Sequence, residues 1–134
     1  MCALFTISIQ LAVLSPFDNT AEFMTAVRHV ESRGRCDAVG DGGRAIGPYQ
    51  IHYVYWKDSG VPGRYEQCRN RAYAERVMKA YWTRHCPQAW KSRDWQTLAR
   101  VHNGGPDGHR KRQTQAYWRK VRAAASPADR SRAS

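Results

Sequence analysis

An apolar helical stripe that ends on an acid and runs at once into a glycine-dense turn constrains this chain more than any other feature. Asn19, with Glu22 three positions later, has the pattern that opens a helix. Behind it Met24, Val27 and Glu31 fall at i, i+3 and i+7, with Phe23, Ala26 and Val30 beside them. Glu31 therefore stands where the apolar face continues into the last turn. Gly34 predicts the stop. The stretch Gly40-Asp41-Gly42-Gly43, followed by Arg44-Ala45-Ile46-Gly47-Pro48-Tyr49-Gln50-Ile51, is too rich in turn formers for a helix and suits a small hairpin or irregular loop.

Helical patterning dominates the remainder. A short helix is expected around 52–58, and Pro62-Gly63 breaks the chain. Residues 70–85 carry a stripe of Ala74, Val77, Met78 and Tyr81, with Glu75 and Lys79 read as an exposed i, i+4 pair. Pro87 ends that helix. Asp94 caps the next, whose stripe is Trp95, Leu98, Ala99 and His102, and residues 102–108 read as a tight loop. A last helix over 112–124 turns Tyr117, Trp118 and Val121 to one face. The expectation is an α+β, helix-dominated domain over 19–124, with one small β excursion after the first helix. Residues 1–18 read as an extension or degenerate signal, apolar at 1–16 but without a basic n-region or a clean cleavage site. Residues 125–134 read as a disordered tail.

Charge narrows the classes of partner. Lys and Arg number 22 against 11 acids, a formal charge of +11, and 17 of the 22 are Arg. Such a chain seeks polyanions, among them nucleic acid, an anionic envelope or acidic polysaccharide. The Arg residues are spread along the whole sequence, and no nucleic-acid signature accompanies them. Five Trp argue against a disordered basic protein, and no run approaches the ~20 apolar residues of a membrane span. Four cysteines, Cys2, Cys36, Cys68 and Cys86, show no CxxC spacing and the histidines are scattered, so no metal site or cofactor is expected. The three later thiols suit either one disulfide with a thiol left over or three buried free thiols.

Few side chains are set up for chemistry. No nucleophile elbow, P-loop or HExxH is present. Among the acids, Glu31 is distinctive. Desolvation on the apolar face and the negative end of the helix dipole both favour its protonated form, as a general acid requires. Arg33 and Arg35 oppose this if they approach, and a structural Glu bonding loop amides is an equal reading on residue type. Asp41, ten residues on in a glycine-flanked turn, is expected to be solvated and ionised, though turn Asp residues are commonplace. An apolar-set Glu with a polar-set Asp is the pairing of glycoside hydrolysis.

The stretch VRHVESRGRCDAVGDGGRAIGPYQIHYVYWKDSG at 27–60 resembles the invertebrate-type lysozyme, or destabilase-like, family. The likeness continues through YEQC at 65–68, YWTRHCP at 81–87, ARVHNGGPDG at 99–108 and AYWRKV at 116–121. It implies a lysozyme-like fold and hydrolysis of the β-1,4 bond between N-acetylmuramic acid and N-acetylglucosamine in peptidoglycan or a related amino-sugar polymer. Carried over by position, the general acid is Glu31 and the nucleophile or stabiliser is Asp41, with Asp37 a poorer competitor. Tyr49, Gln50, Tyr55, Trp56, His102 and Asn103 become candidate sugar contacts, each aromatic having core packing as its alternative. The resemblance also implies Cys68–Cys86 as the disulfide, if the flanking loops fold back far enough. An isopeptidase activity of some members would use His102, but the matching serine positions hold Gly43, Arg44 and Ala45, so that activity is not expected. A monomer outside the cell or at its envelope is implied. A one-carboxylate lytic transglycosylase and a non-catalytic wall- or polyanion-binding protein stand as alternatives.

Overall fold

The computed structural model describes residues 15–125. The apolar leader-like stretch through residue 14 and the tail from 126 onward lie outside the described residues. Six α-helices and a small sheet follow in chain order. They are α1 (Thr20–Ser32), strands β1 (Val39–Gly40), β2 (Ala45–Ile46) and β3 (Ile51–His52), then α2 (Tyr53–Ser59), α3 (Arg71–His85), α4 (Pro87–Ser92), α5 (Trp95–Gly104) and α6 (Thr114–Ala124). Three short 3₁₀ turns, Asp41–Gly43, Tyr65–Arg69 and Gly108–Arg110, join them. The class is α+β and helix-dominated, with its β excursion directly after α1.

Helix α1 forms for the reasons its sequence suggests. Asn19, extended at φ −154°, accepts from the Glu22 amide at 2.9 Å, and the Glu22 carboxylate accepts from the Asp18 amide at 3.0 Å. Two otherwise orphaned amide groups are thereby satisfied. Phe23, Met24, Ala26 and Val27 are buried on one face. The helix ends as Arg33 and Gly34 turn left-handed, with φ of 56° and 82°.

α1 packs against α6, α6 against α5, α5 against α4 and α3, and α3 against α2, so the core lies within a wall of helices. Phe23 stacks on Trp95 with ring centroids 4.8 Å apart, and Trp82 on Trp90 at 5.6 Å. The Trp82 indole donates to the Leu98 carbonyl at 3.0 Å, so a large buried side chain is satisfied as well as packed. Phe17 is buried edge-on against Phe23, Trp95 and Trp118. Phe17 thus packs with the core, while Ser15, Pro16 and Asp18 are exposed.

The sheet is three two-residue strands in the order β1-β2-β3, antiparallel throughout, pairing Val39 with Ile46 and Ile46 with Ile51. Gly47 (φ 79°) lets it approach the rest of the molecule, because a Cβ there would collide with the Cys68 carbonyl oxygen.

Three expectations are corrected. Pro87 ends α3 but also opens α4 as its first residue, where its missing N–H costs nothing. α5 continues through His102, Asn103 and Gly104, so the tight loop begins only at Gly105. Cys68 and Cys86 do not pair: both are free thiols, as is Cys36. They lie at opposite ends of α3, whose 15 residues span about 22 Å, against the ~7 Å a disulfide tolerates between Cα atoms. Burial pushes the Cys68 thiol up to about 12 and the Cys86 thiol up to about 11, with Glu66 and Asp94 adding to the respective effects.

Candidate active site

The end of α1 brings Glu31 against two other helices. The Tyr117 hydroxyl, from α6, donates to Glu31 Oε1 at 2.8 Å. His102 Nε2, from α5, lies 3.5 Å from the same oxygen. The Glu31 side chain is 17 % exposed and His102 only 1 %, so a carboxyl with one open edge sits on a buried polar cluster.

The protonation pattern follows from the partners. His102 Nε2 also faces the Tyr49 carbonyl oxygen at 3.1 Å, and its two neighbours are acceptors, so Nε2 carries hydrogen. The Nδ1 nitrogen lies 3.1 Å from the Tyr55 hydroxyl. Burial pushes the Tyr55 phenol well up, with Tyr81 adding to it. Burial likewise pushes up the Tyr117 phenol, helped by the charge of Glu31 and the hydrogen bond to it. Both phenols remain donors across the physiological range.

The Gly47-Pro48-Tyr49-Gln50 turn holds the elements together. Ser32, next to Glu31, donates to the Pro48 carbonyl at 2.7 Å. Tyr49 is wholly buried; its hydroxyl donates to Glu75 Oε1 at 2.6 Å and accepts from Arg28 at 2.9 Å. Glu75 Oε1 also receives Arg71 at 3.1 Å and lies 3.4 Å from Arg28. Burial, then the bond to Glu75, pushes the Tyr49 phenol far up. Gln50 Nε2 donates to the carbonyls of Gly47 and Ala38 at 2.9 and 3.2 Å. The turn's side chains are thus committed to the scaffold.

Asp41 has the opposite setting. It starts the 3₁₀ turn between β1 and β2, at φ 50°, a left-handed conformation that Asp tolerates better than most residues. Its carboxylate is 51 % exposed, with Arg44 Nη2 at 3.3 Å and His52 Nε2 at 3.2 Å. Asp37 is exposed in the loop before β1.

The candidate sugar contacts divide. Tyr49 and Tyr55 are core residues, the latter stacked on Tyr81 at 3.7 Å, so their rings are unavailable as platforms and they act by holding His102. Trp56 is half-buried, its indole donating to Tyr73 at 2.8 Å, and Asn103 is exposed on α5. Two residues escaped the sequence reading. Glu75 is the hub of the Tyr49 cluster and not an exposed partner of Lys79. Tyr117 had the stripe position of a core residue, and the signal available was that a buried phenol needs an acceptor. No group of metal-ligating side chains suited to an ion occurs among the described residues.

Known proteins resemble this chain in sequence and fold. The family described as Destabilase matches residues 21–124. The chain is 40 % identical over 81 residues to Lysozyme 1 of Crassostrea virginica, covering 59 % of this chain and 44 % of that protein. It is 38 % identical over 79 residues to a lysozyme of Magallana gigas, covering 58 % of each. The matches thus take in about half the length of these two relatives. Among solved structures, Tapes japonica lysozyme superposes with a TM-score of 0.63 at 29 % identity, over 75 % of this chain and 85 % of that one. With the family match spanning nearly all the described residues, from α1 to α6, the chain belongs to the Destabilase family.

Proposed function

We propose that this chain is a lysozyme that cleaves the β-1,4 bonds of peptidoglycan between N-acetylmuramic acid and N-acetylglucosamine. The observation that carries the reading is Glu31 itself: a mostly buried carboxyl near a helix end, hydrogen-bonded on one oxygen by Tyr117, with His102 3.5 Å from the same oxygen. Lysozyme relatives and a lysozyme fold support the same chemistry.

In this reading Glu31 gives its proton to the glycosidic oxygen as the C1–O bond breaks. Asp41, solvated and flanked by Arg44 and His52, either bonds to the anomeric carbon or balances its developing positive charge. Water then enters at C1 and returns a proton to Glu31. Trp56 and Asn103 are the remaining candidate sugar contacts. The formal charge of +11 draws the protein to anionic cell walls, with salt-sensitive association. The protein acts as a monomer, outside the cell or at the envelope. No helix among the described residues is long and apolar enough to cross a membrane.

The test is digestion of purified peptidoglycan with the product ends identified, comparing the wild type with Glu31→Gln and Asp41→Asn. New reducing ends with wild type, and none with Glu31→Gln, support the reading. Products ending in 1,6-anhydro sugars replace hydrolysis by the transglycosylase reaction, and undiminished lysis by Glu31→Gln removes Glu31 from the chemistry.

A further inference from the structure

We propose that Tyr117 is a positioning residue that dedicates the two oxygens of Glu31 to different tasks, Oε1 to anchoring and Oε2 to carrying the transferable proton. The proposal rests on the reading of Glu31 as the general acid and goes beyond it by naming the atom and the side chain that selects it.

The argument is one of donor and acceptor counting. Oε1 receives the Tyr117 hydroxyl at 2.8 Å, and His102 Nε2 makes its nearest approach to the same oxygen, at 3.5 Å. The phenol is buried and its recorded bond is the one to Oε1. A proton on Oε1 would oppose the Tyr117 donor and leave its hydrogen without its acceptor. The protonated acid therefore carries hydrogen on Oε2. His102 is held against rotation at both nitrogens, by Tyr55 and by the Tyr49 carbonyl, so it cannot turn away to accommodate the alternative. The titratable groups that face Glu31 are Tyr117 from α6, His102 from α5 and, further off, Tyr55 from α2. A hydrogen bond donated to a carboxyl oxygen is stronger when the carboxyl is ionised. Losing the Tyr117 hydroxyl therefore makes the acid hold its proton to higher pH, while freeing the carboxyl to rotate.

The experiment compares wild type, Tyr117→Phe and Tyr117→3-fluorotyrosine, using solubilised peptidoglycan for rates and carbon-13 labelling of the glutamate carboxyls for titration. The chain has four glutamates, and the Glu31 signal is assigned by its loss in Glu31→Gln. In Tyr117→Phe the Glu31 titration midpoint and the basic limb of the rate profile both move up by about one pH unit. The maximal kcat falls about tenfold with KM little changed, as expected for lost orientation. The fluorinated phenol, a stronger donor on an unchanged ring, moves both downward and keeps the test available should the Phe variant fold poorly. A purely structural Tyr117 would lower the melting temperature while leaving midpoint and limb in place, and that result overturns the proposal. An active Glu31→Gln instead sinks the general-acid reading beneath it, so the two failures are distinguishable.

Discussion

The two acids of the candidate site sit in regions built on different principles. Glu31 lies in the last turn of a 13-residue helix, hydrogen-bonded from α6 by Tyr117 and 3.5 Å from His102 of α5, with a side chain 17 % exposed. Asp41 sits on a sheet of two-residue strands, 51 % exposed and flanked by Arg44 and His52, themselves exposed. Long helices over an aromatic core can fix an atom and exclude water. A strand pair of this length offers few backbone bonds and fixes a residue through its turn. In the proposed reaction the rigid helical wall would present the acid, Glu31, and the solvated hairpin the second carboxylate, Asp41.

Substitutions at the two acids place the heaviest load on that comparison. Glu31→Gln keeps shape and hydrogen bonding but cannot give a proton, so lysis falls by about 10³-fold, within the usual range for a general acid. Asp41→Asn falls by about 10²-fold, because water and the remaining dipoles around an exposed turn replace part of a lost charge. Turnover on purified peptidoglycan measures both. Equal losses, or a larger loss at Asp41, would reverse the division of labour.

The next effect concerns stability. Tyr49→Phe removes the hydroxyl that donates to Glu75 and accepts from Arg28, leaving polar groups in a mostly buried cluster short of a partner. The expected cost is about 2 kcal/mol, read from urea unfolding, with activity falling alongside if the turn that holds His102 loosens.

High pH exposes the helical wall from another side. The Cys68, Cys86 and Tyr81 acids are pushed up to about 12, 11 and 12 by burial, from ordinary values of 9, 9 and 10. In this pH window the folded protein retains protons that the unfolded chain has released. Their contribution to stability is whole below pH 9, falls as pH rises from there and is spent near pH 12. Urea midpoints at pH 8, 9.5 and 10.5 should therefore fall in that order, and a flat series would show these groups to be less desolvated than their packing indicates.

How much of this could be read beforehand depended on the range of the interaction. The Asn19 and Asp94 caps, the α1 stripe with Glu31 on it and the glycine turn bearing Asp41 are encoded within a few residues, and all were legible. Local signals with two meanings misled: Pro87 stops one helix and starts another, and Gly104 lies inside α5 although glycine commonly breaks helices. The resemblance also suggested a Cys68–Cys86 bridge, whereas both thiols are free. What stayed hidden were partners distant in sequence. Tyr117 lies 86 positions from Glu31, and Glu75 lies 26 from Tyr49. Periodicity shows that such residues face inward, but not which polar atom meets them there.

The smallest effect is expected at His52, and it tests the hairpin directly. His52 Nε2 lies 3.2 Å from Asp41 Oδ2, with the two side chains 47 % and 51 % exposed. Exposed pairs of this kind contribute about 0–1 kcal/mol and weaken with salt. Arg44 continues to face the other carboxylate oxygen when His52 is replaced. His52→Ala should therefore lower stability by less than about 1 kcal/mol and activity by no more than about threefold, a difference that shrinks at 0.5 M salt. If His52→Ala instead matches Asp41→Asn, and salt does not narrow the gap, the hairpin depends on this pair as closely as Glu31 depends on its helices. The division between a rigid proton site and a solvated charge would then have to be abandoned.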